Sequence, residues 1–454
     1  MWLSKRIVFI LAITGVGVIA SFTDAFYGLL LYTFYSFVSP LELTWGGLAG
    51  ARFSFMVGGV VILSALMQRR NIFPKHVIAY LCILFLFFCL FSLAVRIDVH
   101  PNALTRLGVL TKIILMALVA AVLIRTPDQL RLYVLAIAVF VGLLGAYYGV
   151  FGLFAGSMKI SGPGRIGDNN GYAVLLNATL PFIYYAGIHL KRIYLKLLAK
   201  IVLLANILAV ILTFSRGGFI TLIIVIALLI FSTRKKWLLF LLLFMACFTL
   251  FFMWQNNDVP SAAKAQIAKG KNSGEQSIAT KTIELWRQRM ETLKQPAEEI
   301  ETARSRIYFW EVAMDMGNAN PLTGVGFAHY QREFKNYDKT GGLYGGNRAV
   351  HNIFLSLLSE IGYIGTLVFV LLIFVCLDTT FKITRRMRWS RNYRLTVEFT
   401  DYAKMLRISL AAFFIGGFFV DTLFQEIFWA IISLSIAMDN LSKDILINQD
   451  EIQM

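Results

Sequence analysis

The stretch HNIFLSLLSEIGYIGTLVFVLLIFV (351–375) decides the fold class, because it joins a histidine-asparagine pair to a long apolar run. A helix needs about 20 mostly apolar residues to cross a bilayer. Directly before this stretch lies the one long polar insert of the chain, at roughly 255–350. In a membrane protein with one long polar loop that ends in a histidine at the membrane surface, we expect the chemistry to take place on the side of the membrane where that loop lies.

Apolar runs of similar length recur along the whole chain. It has 454 residues, of which 58% are hydrophobic, and a mean hydropathy of +0.68, well above the usage of soluble proteins. This composition predicts an all-α, polytopic membrane protein. Lys5-Arg6 before the first run resembles the start of a signal peptide. Because no cleavage site followed by a soluble domain comes after it, we interpret the run as a retained span.

The predicted organisation has about 12 transmembrane helices with both termini in the cytoplasm. The first 40 residues are interpreted as a helix broken at Thr23-Asp24 that makes one net crossing. The predicted domains are N-terminal transmembrane helices (1–254), an external loop with short helices (255–350), C-terminal transmembrane helices (351–440) and a cytoplasmic tail (441–454). The other spans are predicted near 46–67, 77–95, 107–124, 130–155, 172–190, 197–214, 217–233, 236–254, 353–379, 405–424 and 427–440.

The net charge of +17 would by itself suggest a nucleic-acid partner. Its distribution argues against one, since the excess lies in short connectors such as Arg69-Arg70, Arg234-Lys235-Lys236 and the group from Lys382 to Arg394. This is the positive-inside bias of membrane proteins, so these connectors are predicted to be cytoplasmic. The insert 255–350, the loop 156–171 and the turn 215–218 then fall on the outer face.

Inside the insert, apolar spacing predicts a surface helix over Glu275–Glu301, interrupted by Pro296, and another over Arg304–Met316. The lysine-rich piece Ala262–Gly274 is interpreted as mobile, and the glycine-rich loop Gly341–Gly346 is suited to act as a lid. The four cysteines lie inside apolar runs with spacing that fits neither a zinc site nor a disulfide framework. No metal site or other cofactor is predicted.

Basic residues on the predicted outer face are exceptions to the charge bias, and some are therefore candidates for binding an anion. They are Arg52, Arg96, Arg106, Lys112, Lys159, Arg165 and Arg216. For most of them, snorkelling toward lipid headgroups is the simpler explanation. Arg216 is favoured as a ligand-binding residue, because Ser215-Arg216-Gly217-Gly218 forms a very tight turn between two apolar runs. The glycines are expected to allow close approach of a bulky ligand.

Two further motifs stand beside the insert. Arg304-Ser305-Arg306-Ile307-Tyr308-Phe309-Trp310 precedes Asn320-Pro321-Leu322-Thr323-Gly324-Val325-Gly326-Phe327, and its Arg306 and Trp310 share a helix face. His351-Asn352 opens the third motif, HNxxLxxLxExGxxG. A histidine titrates near neutrality and can take a proton from a hydroxyl, although a lone histidine or a solvated helix is also an ordinary structural feature.

Taken together and in this order, the three motifs resemble the O-antigen ligase family. That family shares its core with Wzy-type polymerases and bacterial protein O-oligosaccharyltransferases. The resemblance is closest to the branch of O-glycosylation ligases associated with exosortase systems, through Pro40-Leu41-Glu42-Leu43-Thr44-Trp45-Gly46 and Gly162-Pro163 followed by Ile166-Gly167-Asp168-Asn169-Asn170. It implies a GT-C-like glycosyltransferase in the bacterial inner membrane with its active site facing the periplasm.

The resemblance further implies an inverting, metal-independent transfer of a glycan from undecaprenyl pyrophosphate to an acceptor hydroxyl, commonly on the lipid A core. Arg216 and Arg306 would hold the diphosphate and His351 would deprotonate or orient the acceptor, so these three are the predicted catalytic residues. Predicted substrate-binding residues are Arg304, Asp168, Asn169, Asn170, Trp310, Asn352 and Lys112. A metal-dependent mechanism would need an acidic pair on an outer loop. Asp98 has only His100 nearby, so EDTA is expected to leave transfer unchanged.

Three alternatives stay open at this point. A Wzy-type polymerase would extend a growing glycan with related loops, and a protein O-oligosaccharyltransferase would use a serine or threonine as acceptor. A transporter or flippase of lipid-linked glycans is disfavoured, because no repeat symmetry is seen between the halves of the sequence. The partners expected in every case are a lipid-linked glycan and membrane lipids.

Overall fold

The computed structural model describes residues 5–40, 53–155, 160–163, 167–233, 296–345 and 348–451. Within these ranges every regular element is a helix, which confirms the all-α prediction for this part of the chain. The predicted span 236–254, the piece Ala262–Gly274 and residues 275–295 of the predicted surface helix lie outside the described residues. In the described ranges Pro296 begins a helix, a position that its fixed φ favours.

We number the described helices in chain order. They are α1 (Lys5–Thr23), α2 (Ala25–Val38), α3 (Phe53–Met67), α4 (Val77–Ala94), α5 (Pro101–Leu123), α6 (Pro127–Ala155), α7 (Asn169–His189), α8 (Ile193–Leu212), α9 (Arg216–Ser232), α10 (Pro296–Ala319), α11 (Tyr330–Tyr337), α12 (Ile353–Met387), α13 (Tyr393–Gly417) and α14 (Glu426–Glu451).

Six of the described helices, α4 to α8 and α12, are long and apolar enough to cross a membrane. The helices α1, α2, α3 and α9 are apolar but shorter. These elements support a polytopic membrane protein, and their bounds lie within a few residues of most predicted spans. The total of about 12 spans and the GT-C-like arrangement stay predictions.

The connectors of the described helices separate into two opposite ends of the bundle. At one end, Asp439 of α14 binds His76 at 3.3 Å and Arg386 at 2.8 Å, next to the basic connectors. At the other end, Arg96 binds Glu333 at 2.6 Å, which ties the α4–α5 loop to α11. We call these the basic end and the outer end. The predicted external segments around α10 and α11 lie at the outer end.

The helices α1 and α2 form an antiparallel hairpin. Thr14 hydrogen-bonds Tyr35 at 2.5 Å, while Gly28 packs against Ser21 close to the turn. Asp24 caps α2 and binds Arg70 at 3.0 Å, so the turn lies at the basic end. The nineteen residues of α1 extend about 28 Å from there, which puts Lys5 at the outer end. The prediction of one broken helix that begins beside the cytoplasmic connectors is therefore wrong, because periodicity does not show which helices pair.

The helix α7 is the central element that positions the outer end of α9. It is buried along almost its whole length, between α6, α8, α9 and α13. Its Asn177 donates from Nδ2 to the carbonyl of Gly218 at 2.9 Å, and Asn169 donates to the carbonyl of Thr213 at 2.9 Å. Such amide bonds between helices are a usual form of polar linkage inside membranes.

The segment 321–326 is inserted into a break in α12. Gly362 has φ 75°, outside helical values, and Tyr363 N donates to Pro321 O at 2.8 Å. Val325 N donates to Ser359 O at 2.7 Å and Gly326 N to Glu360 O at 3.1 Å. The glycines in both motifs permit this close approach of two backbones, which fixes the loop after α10 onto the membrane bundle.

Candidate functional site

Arg216 is the first residue of α9 and lies at the outer end of the bundle. Ser215 is the N-cap, and its Oγ accepts from Gly218 N at 3.0 Å. Phe214 has φ 51° and reverses the chain after α8. The exposed guanidinium of Arg216 is thus held at a helix N-terminus, where the partial positive charge of the backbone adds to its own.

Gly217 and Gly218 serve helix packing. A Cβ on Gly217 would stand 2.5 Å from the side chain of Phe419, and a Cβ on Gly218 would collide with Ala173 of α7. Both glycines are buried. The prediction that they leave room for a bulky ligand is wrong, because side chains of the protein already fill that space.

Arg306 lies on α10 and is half-buried. Burial lowers the pKa of its guanidinium, and the positive charge of neighbouring Arg216 lowers it further. No ion pair with Arg306 occurs within the described residues. Two arginines held close together repel each other, and an anion placed between them would relieve that repulsion.

Trp310, one turn after Arg306, anchors the segment that carries His351. Its Nε1 donates to the carbonyl of Val350 at 3.1 Å. Its ring packs at the edge of a small apolar core of the outer segment, which includes Phe309, Phe334 and Val350. The hydrogen bond ends one residue before His351, so Trp310 sets where the imidazole lies relative to α10.

His351 stands between the polar segment and α12, with φ 54°. Burial lowers the pKa of its imidazole below the ordinary value of 6.5, and the charge of Arg306 lowers it further. The carboxylates of Asp168 and Asp421 act in the opposite direction. A histidine with a lowered pKa is neutral at pH 7 and can accept a proton.

Asp168 caps α7 through Gly171 N and is exposed. The negative charge of Asp168 acts to raise the pKa of His351, so Asp168 belongs with the groups around the imidazole. Asn169 uses its side-chain amide to bind Thr213 O at 2.9 Å, which holds the turn that carries Arg216. Asn170 follows on the first turn of α7 and is half-buried.

Asp421 is a residue that sequence reasoning missed. It lies in the connector between α13 and α14, where Oδ1 accepts from Leu423 N at 3.2 Å and Oδ2 lies 3.3 Å from Ser356 Oγ. Surrounding protein desolvates the carboxylate and raises its pKa, while the residue keeps exposed surface. The available signal was a carboxylate at the outer end of two apolar runs.

These groups form a connected series, which we call the outer cluster: Arg216, Arg306, His351, Asp168 and Asp421. The charge of Arg216 lowers the pKa of Arg306, and the charge of Arg306 lowers the pKa of His351. The charges of the two aspartates act to raise the pKa of His351. The members come from five separate parts of the chain. The cluster offers two guanidiniums for an anion and, beside them, a neutral imidazole with carboxylates that would stabilise its protonated form.

The remaining predicted residues have other surroundings. Asn352 is the N-cap of α12, and its side-chain oxygen accepts from Phe354 N at 3.0 Å and Leu355 N at 3.2 Å. Lys112 is held by Ser54 at 3.3 Å and Glu426 at 3.8 Å. The side chain of Arg304 and the residues Arg52, Lys159 and Arg165 lie outside the described part of the chain.

Asp98, the acidic residue considered for a metal site in the sequence, is paired with an arginine in the structure. Asp98 binds Arg332, and this ion pair lowers the pKa of its carboxyl. Across the described ranges, no three histidine, cysteine or acidic side chains lie close enough together to hold a metal ion.

Comparison with known families covers three of the five members of the outer cluster. Residues 198–370 match the O-antigen ligase family (Wzy_C). This part of the chain is therefore similar to the O-antigen ligase domain. The matched range includes Arg216, Arg306 and His351, and the resemblance seen in the motifs is confirmed over it. No curated protein matches the chain.

Members of the O-antigen ligase family are glycosyltransferase-like ligases, so the match supports an enzyme of ligase or polymerase type. The family implies lipid-linked glycans and glycolipids as substrates in general terms. The exosortase-associated branch stays a prediction.

Proposed function

We propose that the protein is an O-antigen ligase of the bacterial inner membrane that transfers a glycan from undecaprenyl pyrophosphate to a hydroxyl on the lipid A core, at the periplasmic face. The observation that carries the proposal is the outer cluster: two arginines and a neutral histidine, distant in sequence, act on one another electrostatically within the O-antigen ligase domain.

Arg216 and Arg306 bind the diphosphate of the donor. A guanidinium presents a planar fork of donors that fits two phosphate oxygens. When the bond between the anomeric carbon and the diphosphate breaks, the electron pair and the negative charge stay on the diphosphate. Cations already in place stabilise that charge without reorganisation. The repulsion between the two arginines falls as the anion binds.

His351 removes the proton of the acceptor hydroxyl. The freed oxygen attacks the anomeric carbon from the side opposite the diphosphate, so the configuration at that carbon is inverted. The imidazole becomes positively charged, and Asp168 and Asp421 stabilise that charge through space. These steps use only side chains of the protein, consistent with the proposed metal independence.

A deletion strain tests the assignment. Loss of a ligase leaves long glycans on the lipid carrier and unmodified core, which carbohydrate staining of envelope lipids detects. Complementation with Arg216→Ala or His351→Ala is expected to reduce transfer about 100-fold or more. Arg332→Ala is a matched control, because this exposed outer-end arginine binds Asp98 and is not part of the outer cluster.

Three results would contradict the proposal. If His351→Ala restores surface glycan to the wild-type amount at equal expression, the role of the histidine is wrong. If the deletion strain carries a single repeat unit on its core, the protein is a Wzy-type polymerase. A loss of stained glycoproteins with intact lipid glycans indicates a protein acceptor.

A further inference from the structure

The outer end carries another arginine, Arg106, whose surroundings set it apart from the lipid-facing cations. It lies in the second turn of α5. Leu110, Ile113 and Ala117 follow at intervals of four, seven and eleven residues, and all three are buried. Residues at these intervals share one face of a helix. Arg106 is therefore on the inward face of α5, yet it is exposed, so it opens toward the outer mouth of the bundle.

Lys112, on the same helix as Arg106, lies 3.8 Å from Glu426 at the start of α14, so α5 runs beside the connector that carries Asp421. The charge of Arg106 acts on Asp421 and on Glu360. It forms no ion pair with either carboxylate within the described residues. Both carboxylates already have other donors. Glu360 accepts from Ala328 N at 2.9 Å and from Tyr330 N at 3.4 Å, and Asp421 accepts from Leu423 N at 3.2 Å.

The positive charges of His351 and Arg106 both act to lower the pKa of Asp421. The electrostatic neighbours thus run in the order Arg216, Arg306, His351, Asp421 and Arg106. Cations occupy both ends of this series, and the candidate base and a carboxylate occupy its middle. The donor diphosphate accounts for the cations at one end only.

We propose that Arg106 binds an anionic group, a phosphate or a carboxylate, on the acceptor glycolipid. This inference rests on the proposed function and narrows its acceptor to an anionic one. With the donor anion at Arg216 and Arg306 and the acceptor anion at Arg106, the acceptor hydroxyl is directed to His351 between them.

Steady-state transfer kinetics with the purified full-length protein test this assignment. The acceptor probe is lipopolysaccharide core without O-chain, used untreated and after enzymatic dephosphorylation. Arg106→Gln is expected to raise KM for the untreated core about tenfold or more, the usual value of a lost charged hydrogen bond. Its KM for the lipid-linked donor should stay unchanged. Arg106→Lys should recover part of the loss.

Arg332→Gln is the matched control, and its KM values are expected to equal those of the wild type. If the bound group is a phosphate, wild type and Arg106→Gln should have the same raised KM for the dephosphorylated core. If it is a carboxylate, dephosphorylation should leave the difference in KM between the two proteins unchanged. The inference is overturned if Arg106→Gln has wild-type KM for the untreated core, or if it raises KM for the donor instead. If the wild-type protein transfers glycan to neither core, the proposed function is overturned and this inference with it.

Discussion

At the scale of single residues, His351 makes the activity depend on pH in a defined direction. Its pKa lies below 6.5 because of burial and Arg306, so the imidazole is neutral at pH 7 and becomes protonated only as the pH falls through that lowered pKa. We expect kcat/KM to be constant above neutrality and to decline on the acid side of 6.5.

Substitutions of the charges around His351 should move that acid limb in opposite directions. Arg306→Gln removes a positive neighbour, so the limb shifts to higher pH. Asp168→Asn removes a negative neighbour, so the limb shifts to lower pH, while asparagine can still cap α7. A pH–rate profile measures both shifts. Identical acid limbs in the wild type and both variants would show that another group is titrating.

Trp310 allows a distinction between positioning and substrate binding. Trp310→Phe keeps an aromatic ring and removes the hydrogen bond to Val350 O, which costs about 1 kcal/mol. If the bond positions His351, kcat falls and the acceptor KM stays the same. A raised acceptor KM at unchanged kcat would instead support the predicted substrate-binding role.

At the scale of elements, the insertion of 321–326 into the break of α12 depends on Gly362. It has φ 75°, and a Cβ there would stand 2.5 Å from Pro321 O. Gly341 has φ 66° but nothing within 4 Å of such a Cβ. Gly341→Ala costs about 1–2 kcal/mol for a positive φ. Gly362→Ala costs about 1–3 kcal/mol, because φ 75° with ψ −176° is a conformation essentially restricted to glycine, and it adds a collision.

Thermal unfolding in detergent compares the stability of these two variants. Gly362→Ala is expected to have a clearly lower Tm than Gly341→Ala. It is also expected to lose transfer activity, because the segment 321–326 can no longer pack against the break in α12. Equal Tm values for the two variants would mean that the contact with Pro321 does not stabilise the protein.

At the scale of the whole molecule, apolar runs predict most helices and basic connectors predict which loops lie together. The run near 77–95 became α4 at Val77–Ala94, because a single long apolar stretch has few alternatives to a helix in a membrane. Arg216, Arg306 and His351 were predicted from their motifs, and their role stays a prediction. Asp421 was missed, since a lone acid between two apolar runs has the same pattern as any connector, and only the packing of α13 and α14 brings it beside His351.

The hairpin of α1 and α2 decides on which side of the membrane a reporter fused ahead of Lys5 would be found. Asp24 and Arg70 hold the turn at the basic end, which the charge bias predicts to be cytoplasmic. A fused alkaline phosphatase should therefore fold in the periplasm and be active. Green fluorescent protein exported unfolded to the same place should stay dark. Bright fluorescence together with an inactive phosphatase would show that this terminus lies in the cytosol. The helix α1 would then cross the membrane in the opposite direction.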